Sequence, residues 1–127
     1  MEIRISTARR REVVDITDKI QPQVSKEARA VNVFAAHTTC ALTTADLDPG
    51  TDEDLLDALH KIIPKLKYRH PHDPSHEHVH SHLASSIIGP GVTIPVKEGR
   101  LALGTWQRIV LIELDGPRER TVIVTNL

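Results

Sequence analysis

Six of the chain's eight histidines, His70, His72, His76, His78, His80 and His82, fall within thirteen residues. Neutral imidazole binds zinc, copper, nickel and iron, and a catalytic zinc takes three protein donors while keeping one position open. The spacing serves that chemistry in either backbone. In an extended segment His76, His78, His80 and His82 share one face, successive rings about 6.6 Å apart along the strand. In a helix His76/His80 and His78/His82 become i,i+4 pairs that reach one ion. His80 and His82, with the distant His37, make up a candidate three-imidazole ligand set. The competing readings are a solvated His-rich surface loop and a cluster that senses protons near pH ~6.5.

His37 opens a run of small and hydroxylated residues, His37-Thr38-Thr39-Cys40-Ala41-Leu42-Thr43-Thr44. The hydroxyls can orient an imidazole or bind a phosphate, and Asp46 and Asp48 follow as candidate bases or ligands. Cys40 as a nucleophile needs His37 to converge on it. A lone Cys among apolar and Thr neighbours reads instead as buried and inert. In Gly104-Thr105-Trp106-Gln107 a glycine precedes the chain's one Trp, which allows close backbone approach beside an aromatic wall. The chain has no Walker loop, dinucleotide glycine fingerprint or nucleophile elbow.

The elements that must position these residues alternate between strand and helix patterns. Arg4 to Thr7 and Glu12 to Ile16 read as a hairpin around Arg9-Arg10-Arg11. From a Thr17 cap, Ile16, Ile20, Val24 and Ala28 take helical spacing, weakened by Pro22. Ala30 to His37 and Cys40 to Thr44 read as strands. The strongest helix runs from Thr51 to Ile63, with a Thr51/Asp54 capping box, an acidic first turn and a Leu55-Leu56-Leu59-Ile62-Ile63 stripe. Tyr68 to Ser81 lacks apolar periodicity and reads as a loop or a site. Val92, Ile94 and Val96 alternate, Arg100 to Leu103 follows a Gly99 turn, and Trp106 to Leu114 should pair antiparallel with Arg120 to Val124 across Asp115-Gly116-Pro117. Strands outnumber helices, so the expected class is α+β with a mainly antiparallel β-sheet and two or three helices.

The 127 residues suit one domain, 1–127, whose core must come from Leu, Ile, Val and Ala because Trp, Tyr and Phe occur once each. Hydrophobic residues at 39% and charged residues at 26% match an ordinary globular domain. A net charge of -1 gives no field for a polyanion, so nucleic acid is not an expected partner. The lone cysteine forms no internal disulfide, the N-terminal residues lack a secretion-signal pattern, and no apolar window nears the roughly 20 residues that span a bilayer. A cytoplasmic protein without a membrane segment is the expectation.

Several stretches, taken in order, resemble the YjbQ-like family, also called the secondary thiamine-phosphate synthase family. They are His37-Thr-Thr-Cys-Ala-Leu-Thr, Asp48-Pro49, Tyr68-Arg69-His70, His80-Ser81-His82, Pro95-Val-Lys-Glu-Gly-Arg-Leu-Ala-Leu-Gly-Thr-Trp-Gln107 and Glu113-Leu-Asp-Gly-Pro-Arg118. The resemblance spans nearly the whole chain and is most specific from Gly99 to Gln107. It implies a small α+β fold assembled as a homotrimer, with the site close to a subunit interface. It also implies a weak ability to make thiamine phosphate from a hydroxymethylpyrimidine diphosphate and a thiazole phosphate. By position, the implied site residues are His37, Thr38, Thr39, His80, His82, Trp106 and Gln107, with Arg118 for an anionic group. Two departures stand out. Ala45-Asp46 replaces an Asn-Glu pair common in the family, with a loop one residue shorter, and His78 stands where many members have Asn, which adds a ligand candidate.

The expectation is therefore an enzyme in which His37, His80 and His82 hold a divalent metal, zinc by preference. His37, Asp46 and His82 would serve as catalytic groups, and Thr38, Thr39, Trp106, Gln107 and Arg118 would bind a small phosphorylated substrate. The alternative is a non-catalytic trimer that buffers metal or binds a small ligand.

Overall fold

The computed structural model of the chain describes residues 1–64, 66–70 and 75–127, without the side chain of His76. Eight strands follow in the order β1 (Glu2–Ser6), β2 (Glu12–Asp15), β3 (Ala30–Ala35), β4 (Cys40–Ala45), β5 (Gly91–Lys97), β6 (Arg100–Leu101), β7 (Arg108–Glu113) and β8 (Glu119–Asn126). Three α-helices join them: α1 (Thr17–Ile20), α2 (Thr51–Ile62) and α3 (His76–Ile88). The α+β class with antiparallel pairing and three helices is as expected.

The strands form two sheets. The larger runs β1-β8-β3-β5-β6 and the smaller β2-β7-β4, with every pairing antiparallel. Two expectations change here. β1 and β2 are not a hairpin, because β1 pairs with β8 and β2 with β7. Nor do β7 and β8 pair, since each is an interior strand of a different sheet. The connection Asp115-Gly116-Pro117 carries the chain from one layer to the other instead of folding it back.

The side-chain period of two explains why β7 can sit in the middle. Its Ile109 and Leu111 face the larger sheet, packing with Ile5, Val31, Val33, Val122 and Val124, whereas Val110 and Ile112 face α2 and α3 through Leu59, Ile63 and Ala84. Three layers result, with the smaller sheet buried on both faces. That accounts for the nearly unbroken apolar run Ile109 to Ile112, the mark of a doubly covered strand.

α2 starts one residue earlier than a Thr51 cap would place it. Gly50 is the N-cap, at φ 91°, with no side-chain cap bond, and Asp52, Glu53 and Asp54 supply the favourable negative charge of the first turn. α1 is cut to a single turn that passes into a 3-10 turn at Gln21–Gln23 holding Pro22. The His-rich stretch is helical from His76, with Ser75 Oγ accepting the His78 N–H at 3.4 Å and Gly89 ending the helix. His72 lies outside the described residues. Among the described residues no helix is long and apolar enough to cross a membrane.

Candidate functional site

α3 settles which histidines meet. Residues two apart on a helix point about 200° apart, so His80 and His82 take opposite sides, while His78 and His82 share one side as an i,i+4 pair. His80 faces inward with almost no exposure; its Nε2 lies 3.3 Å from the Leu59 carbonyl and its ring stacks on His60 at 4.4 Å. His78 and His82 face outward, with their Nε2 atoms 3.2 Å apart. His70, from the segment after α2, closes the group: it stacks on His82 at 4.8 Å and meets His78 edge-on at 4.9 Å.

The ligand-capable atoms of His70, His78 and His82 lie within 4.8 Å of one another. Among the described residues this is the group of His, Cys or acidic side chains that could hold a metal. The expected set is thus not brought together, for two physical reasons. The helix turns His80 into the packing against α2. His37 has its Nε2 committed to the Thr121 backbone N–H at 3.0 Å.

The trio is held from behind. His78 Nδ1 lies 3.4 Å from Asp115 Oδ2, which leaves Nε2 as the inward-facing nitrogen, and His82 is hydrogen bonded to the Thr38 backbone. A carboxylate behind a ligating imidazole fixes its tautomer and raises its basicity. Burial, together with the neighbouring His78 and His70 rings, lowers the His82 pKa below its usual value of 6.5 and favours the neutral, ligating form. The two Nε2 atoms face each other at 3.2 Å, close enough for one divalent ion to reach both. Three imidazoles with one solvent-facing side fit a zinc-type centre.

Asp115 is fixed by a buried ion pair one step further in. Glu113 on β7 and Arg120 on β8 face each other between the sheets with 0% and 2% side-chain exposure. Arg120 Nε donates to Glu113 Oε1 at 2.9 Å, and Arg120 Nη2 donates to Glu113 Oε2 and to the carbonyl and hydroxyl of Thr39, each Thr39 contact at 2.9 Å. Glu113 also accepts from Thr7 Oγ1 at 2.7 Å and from the N–H groups of Leu114 and Asp115 at 3.0 and 3.2 Å. Burial alone would raise the Glu113 pKa, but Arg120 and Thr7 outweigh it and hold the carboxyl below its ordinary 4.5. His37 is lowered chiefly by burial and then by Arg120, which keeps its Nε2 an acceptor for Thr121.

Thr39 therefore serves Arg120 rather than a ligand, whereas Thr38 is exposed and lends its backbone to His82. Arg118 lies beside the trio, donating from Nε to the Asp115 carbonyl at 2.8 Å and from Nη2 to its carboxylate at 3.2 Å. Cys40 is fully buried, and burial pushes its thiol up to about 11, which removes the thiolate a nucleophile needs.

Asp46, Trp106 and Gln107 occupy the other end of the smaller sheet. In the β4/β7 register Cys40 lies opposite Glu113 and Ala45 opposite Arg108, five residue steps or roughly 17 Å apart. There Trp106, 69% exposed, flanks a shallow cleft of about 260 Å³ with Asp46, Asp48 and Arg108. Gln107 bridges the Gly104 N–H, at 2.8 Å, and the Thr44 hydroxyl, at 3.3 Å. Within one chain these residues do not join the imidazoles. Sequence reading passed over His70 and Asp115 as members of the site and left His78 as an addition. The signal for them was the Tyr68-Arg69-His70 and Glu113-Leu-Asp-Gly-Pro-Arg118 stretches, whose acid and imidazole meet only in three dimensions.

Comparison with known proteins agrees with this fold and sequence. A family profile described as UPF0047 protein YjbQ-like matches residues 1–127. A UPF0047 protein of Archaeoglobus fulgidus is 42% identical over 127 residues, covering all of both chains. YugU of Bacillus subtilis is 32% identical, over 96% of this chain and 94% of the relative. A crystal structure of a YjbQ/UPF0047-family protein from Clostridium acetobutylicum superposes with a TM-score of 0.89 at 32% identity, over 100% of this chain and 99% of the other. A conserved hypothetical protein from Thermus thermophilus gives 0.86 at 35% identity, again over 100% and 99%. Matched along its full length in sequence and in fold, the chain belongs to the YjbQ-like UPF0047 family.

Proposed function

We propose that this protein is a small metal-assisted enzyme acting on a phosphorylated metabolite-sized substrate, with His70, His78 and His82 as the residues that hold a divalent cation, zinc by donor type. The observation that carries the reading is the convergence of three imidazoles within 4.8 Å, one of them backed by the Asp115 carboxylate. A cation held there supplies Lewis-acid polarisation of a phosphoryl oxygen or leaving group. The chain's own residues do the rest. Asp115 orients His78, the Thr38 backbone orients His82, and Arg118 steadies the anionic substrate. His37, neutral and next to Thr38 in the chain, is the proton-handling candidate.

The thiamine-phosphate-synthase type of displacement implied by the family resemblance suits such a site, since it expels a diphosphate that needs its charge neutralised. The homotrimer of that resemblance would supply what one chain lacks, an approach of the Trp106-Gln107 end of one copy to the imidazoles of another. The exposure of Trp106 supports this arrangement.

Metal content per chain, measured by plasma mass spectrometry on untagged protein, tests the ligand set. About one zinc per chain is expected, lost in His70→Ala and His82→Ala and kept in His37→Ala. Metal-replete His82→Ala protein would overturn the assignment, and several loosely held ions per chain would favour a buffering role.

A further inference from the structure

The three consecutive arginines of the β1–β2 turn do not all face the same way. Arg9 and Arg11 line a cleft of about 240 Å³ with Glu53, Asp57 and His60 of α2, and Arg11 also lies 3.9 Å from Glu77. Arg10 alone is directed toward the imidazole centre, where its Nη2 meets Asp115 Oδ1 at 3.0 Å. The same carboxylate receives Arg118 Nη2 at 3.2 Å and faces His78 Nδ1 at 3.4 Å. Two guanidinium groups thus share one carboxylate, leaving an excess of one positive charge at the rim of the trio. Both arginine side chains stay about half exposed, at 51% and 53%, and a guanidinium has five N–H donors, more than Asp115 takes from either.

The Arg10 ion pair is not needed to hold its turn in place, because the backbone already does so. The Gly116 N–H donates to the Arg10 carbonyl at 2.8 Å, and the Ala8 N–H donates to Glu12 Oε1 at 2.7 Å. The approach is so close that a Cβ at residue 116 would sit 2.4 Å from the Arg9 carbonyl oxygen. The main chain delivers Arg10 beside Asp115 and frees its side chain to bind a ligand.

We infer that Arg10 and Arg118 form a two-guanidinium seat for a phosphoryl dianion, so that Arg10 selects substrates ending in a phosphate monoester or diphosphate and places them against the imidazoles. Planar guanidinium forks match phosphoryl oxygens in geometry and in charge. The inference rests on the imidazole trio being the reacting centre, yet the anion seat itself needs only the two arginines.

Calorimetric titration with inorganic phosphate and with pyrophosphate tests it, using wild type, Arg10→Met, Arg10→Lys and an Arg4→Met control. Arg4 is an 80% exposed arginine paired with Glu119 and not with Asp115. Metal content and melting temperature are read on the same samples. Arg10→Met should weaken phosphate affinity about tenfold to a hundredfold, the loss of charge-assisted hydrogen bonds, with metal content unchanged. Arg10→Lys should fall in between, and it serves as the readout if the Met variant fails to fold. Arg4→Met should bind as wild type does. A wild type that binds neither anion, an Arg10→Met protein within twofold of wild type, or an equal loss in Arg4→Met overturns the inference. Arg10-dependent phosphate binding in protein that takes up no metal would keep the anion seat and defeat the metal reading instead.

Discussion

Replacing Arg120 with Met while leaving Glu113 in place shows what the buried pair between the sheets does. Arg120 gives Glu113 two charge-assisted bonds and Thr39 two more; after the change Glu113 retains only Thr7 Oγ1 and the N–H groups of Leu114 and Asp115. Its side chain has no exposed surface, so the carboxylate cannot turn to solvent. Stranding a buried charge in this way costs about 3–5 kcal/mol. For a domain of this size that lowers Tm by roughly 10–20 °C. The pH dependence is more diagnostic than the size. In the wild type the Glu113 pKa lies below 4.5, so this group adds stability above pH 4.5 that is lost as pH falls through its folded pKa. In the variant, burial without Arg120 lifts the folded pKa above the unfolded one, and the group costs more stability as pH rises. Urea unfolding at about pH 4.5 and at about pH 7 should therefore give a deficit that widens toward neutrality. A loss under about 1 kcal/mol, or one that narrows as pH rises, would refute the reasoning. Substituting Glu113 by Leu in the same chain should recover much of the loss, since a buried pair can be exchanged for apolar packing with far less destabilisation than halving it causes.

Asp115→Asn removes the charge behind His78 and should weaken zinc affinity about 10–100-fold with the fold retained, as competition with a chelating dye would read. An unchanged affinity would mean that the 3.4 Å contact does not orient the ring. The Cys40 thiol should react with a disulfide reagent at mildly alkaline pH only in unfolded protein, because burial excludes the reagent and holds the pKa at about 11; rapid labelling of the native chain would count against this.

Local pattern was enough to place most strands and the long helix, but not to decide which strands pair. Arg108 to Glu113 and Glu119 to Asn126 each read as strands, and the Asp-Gly-Pro between them reads as a hairpin turn. What separates them is burial of both faces of β7, which alternating side chains cannot signal when every position is apolar. The histidine spacing left strand and helix both open. The Ser75 cap and the run of Ala, Leu, Ser and Ile after His82 make it a helix, which brings His78 and His82 together and turns His80 away from both. His70 and Asp115 come from different parts of the chain, so their meeting with α3 depends on tertiary packing. The family motifs named stretches that fall both at the imidazole trio and at the Trp106 cleft, which lie at ends of the smaller sheet about 17 Å apart in one chain.

The passage of the chain from β7 to β8 bears on how this site can change. Residues 113 to 120 tie two sheets together and also hold His78, so the proposed metal centre sits where the layers are clamped rather than on a pliable rim. Amide hydrogens of Leu114 and Asp115 should be among the slowest to exchange, since freeing them requires the layers to part. Such a site cannot be retuned by loosening its surroundings, because any substitution that relaxes Glu113 or Arg120 lowers the stability of the whole domain. New ligand preferences would instead arise at half-exposed side chains bordering the clamp, such as Arg10, where exchange costs the fold little.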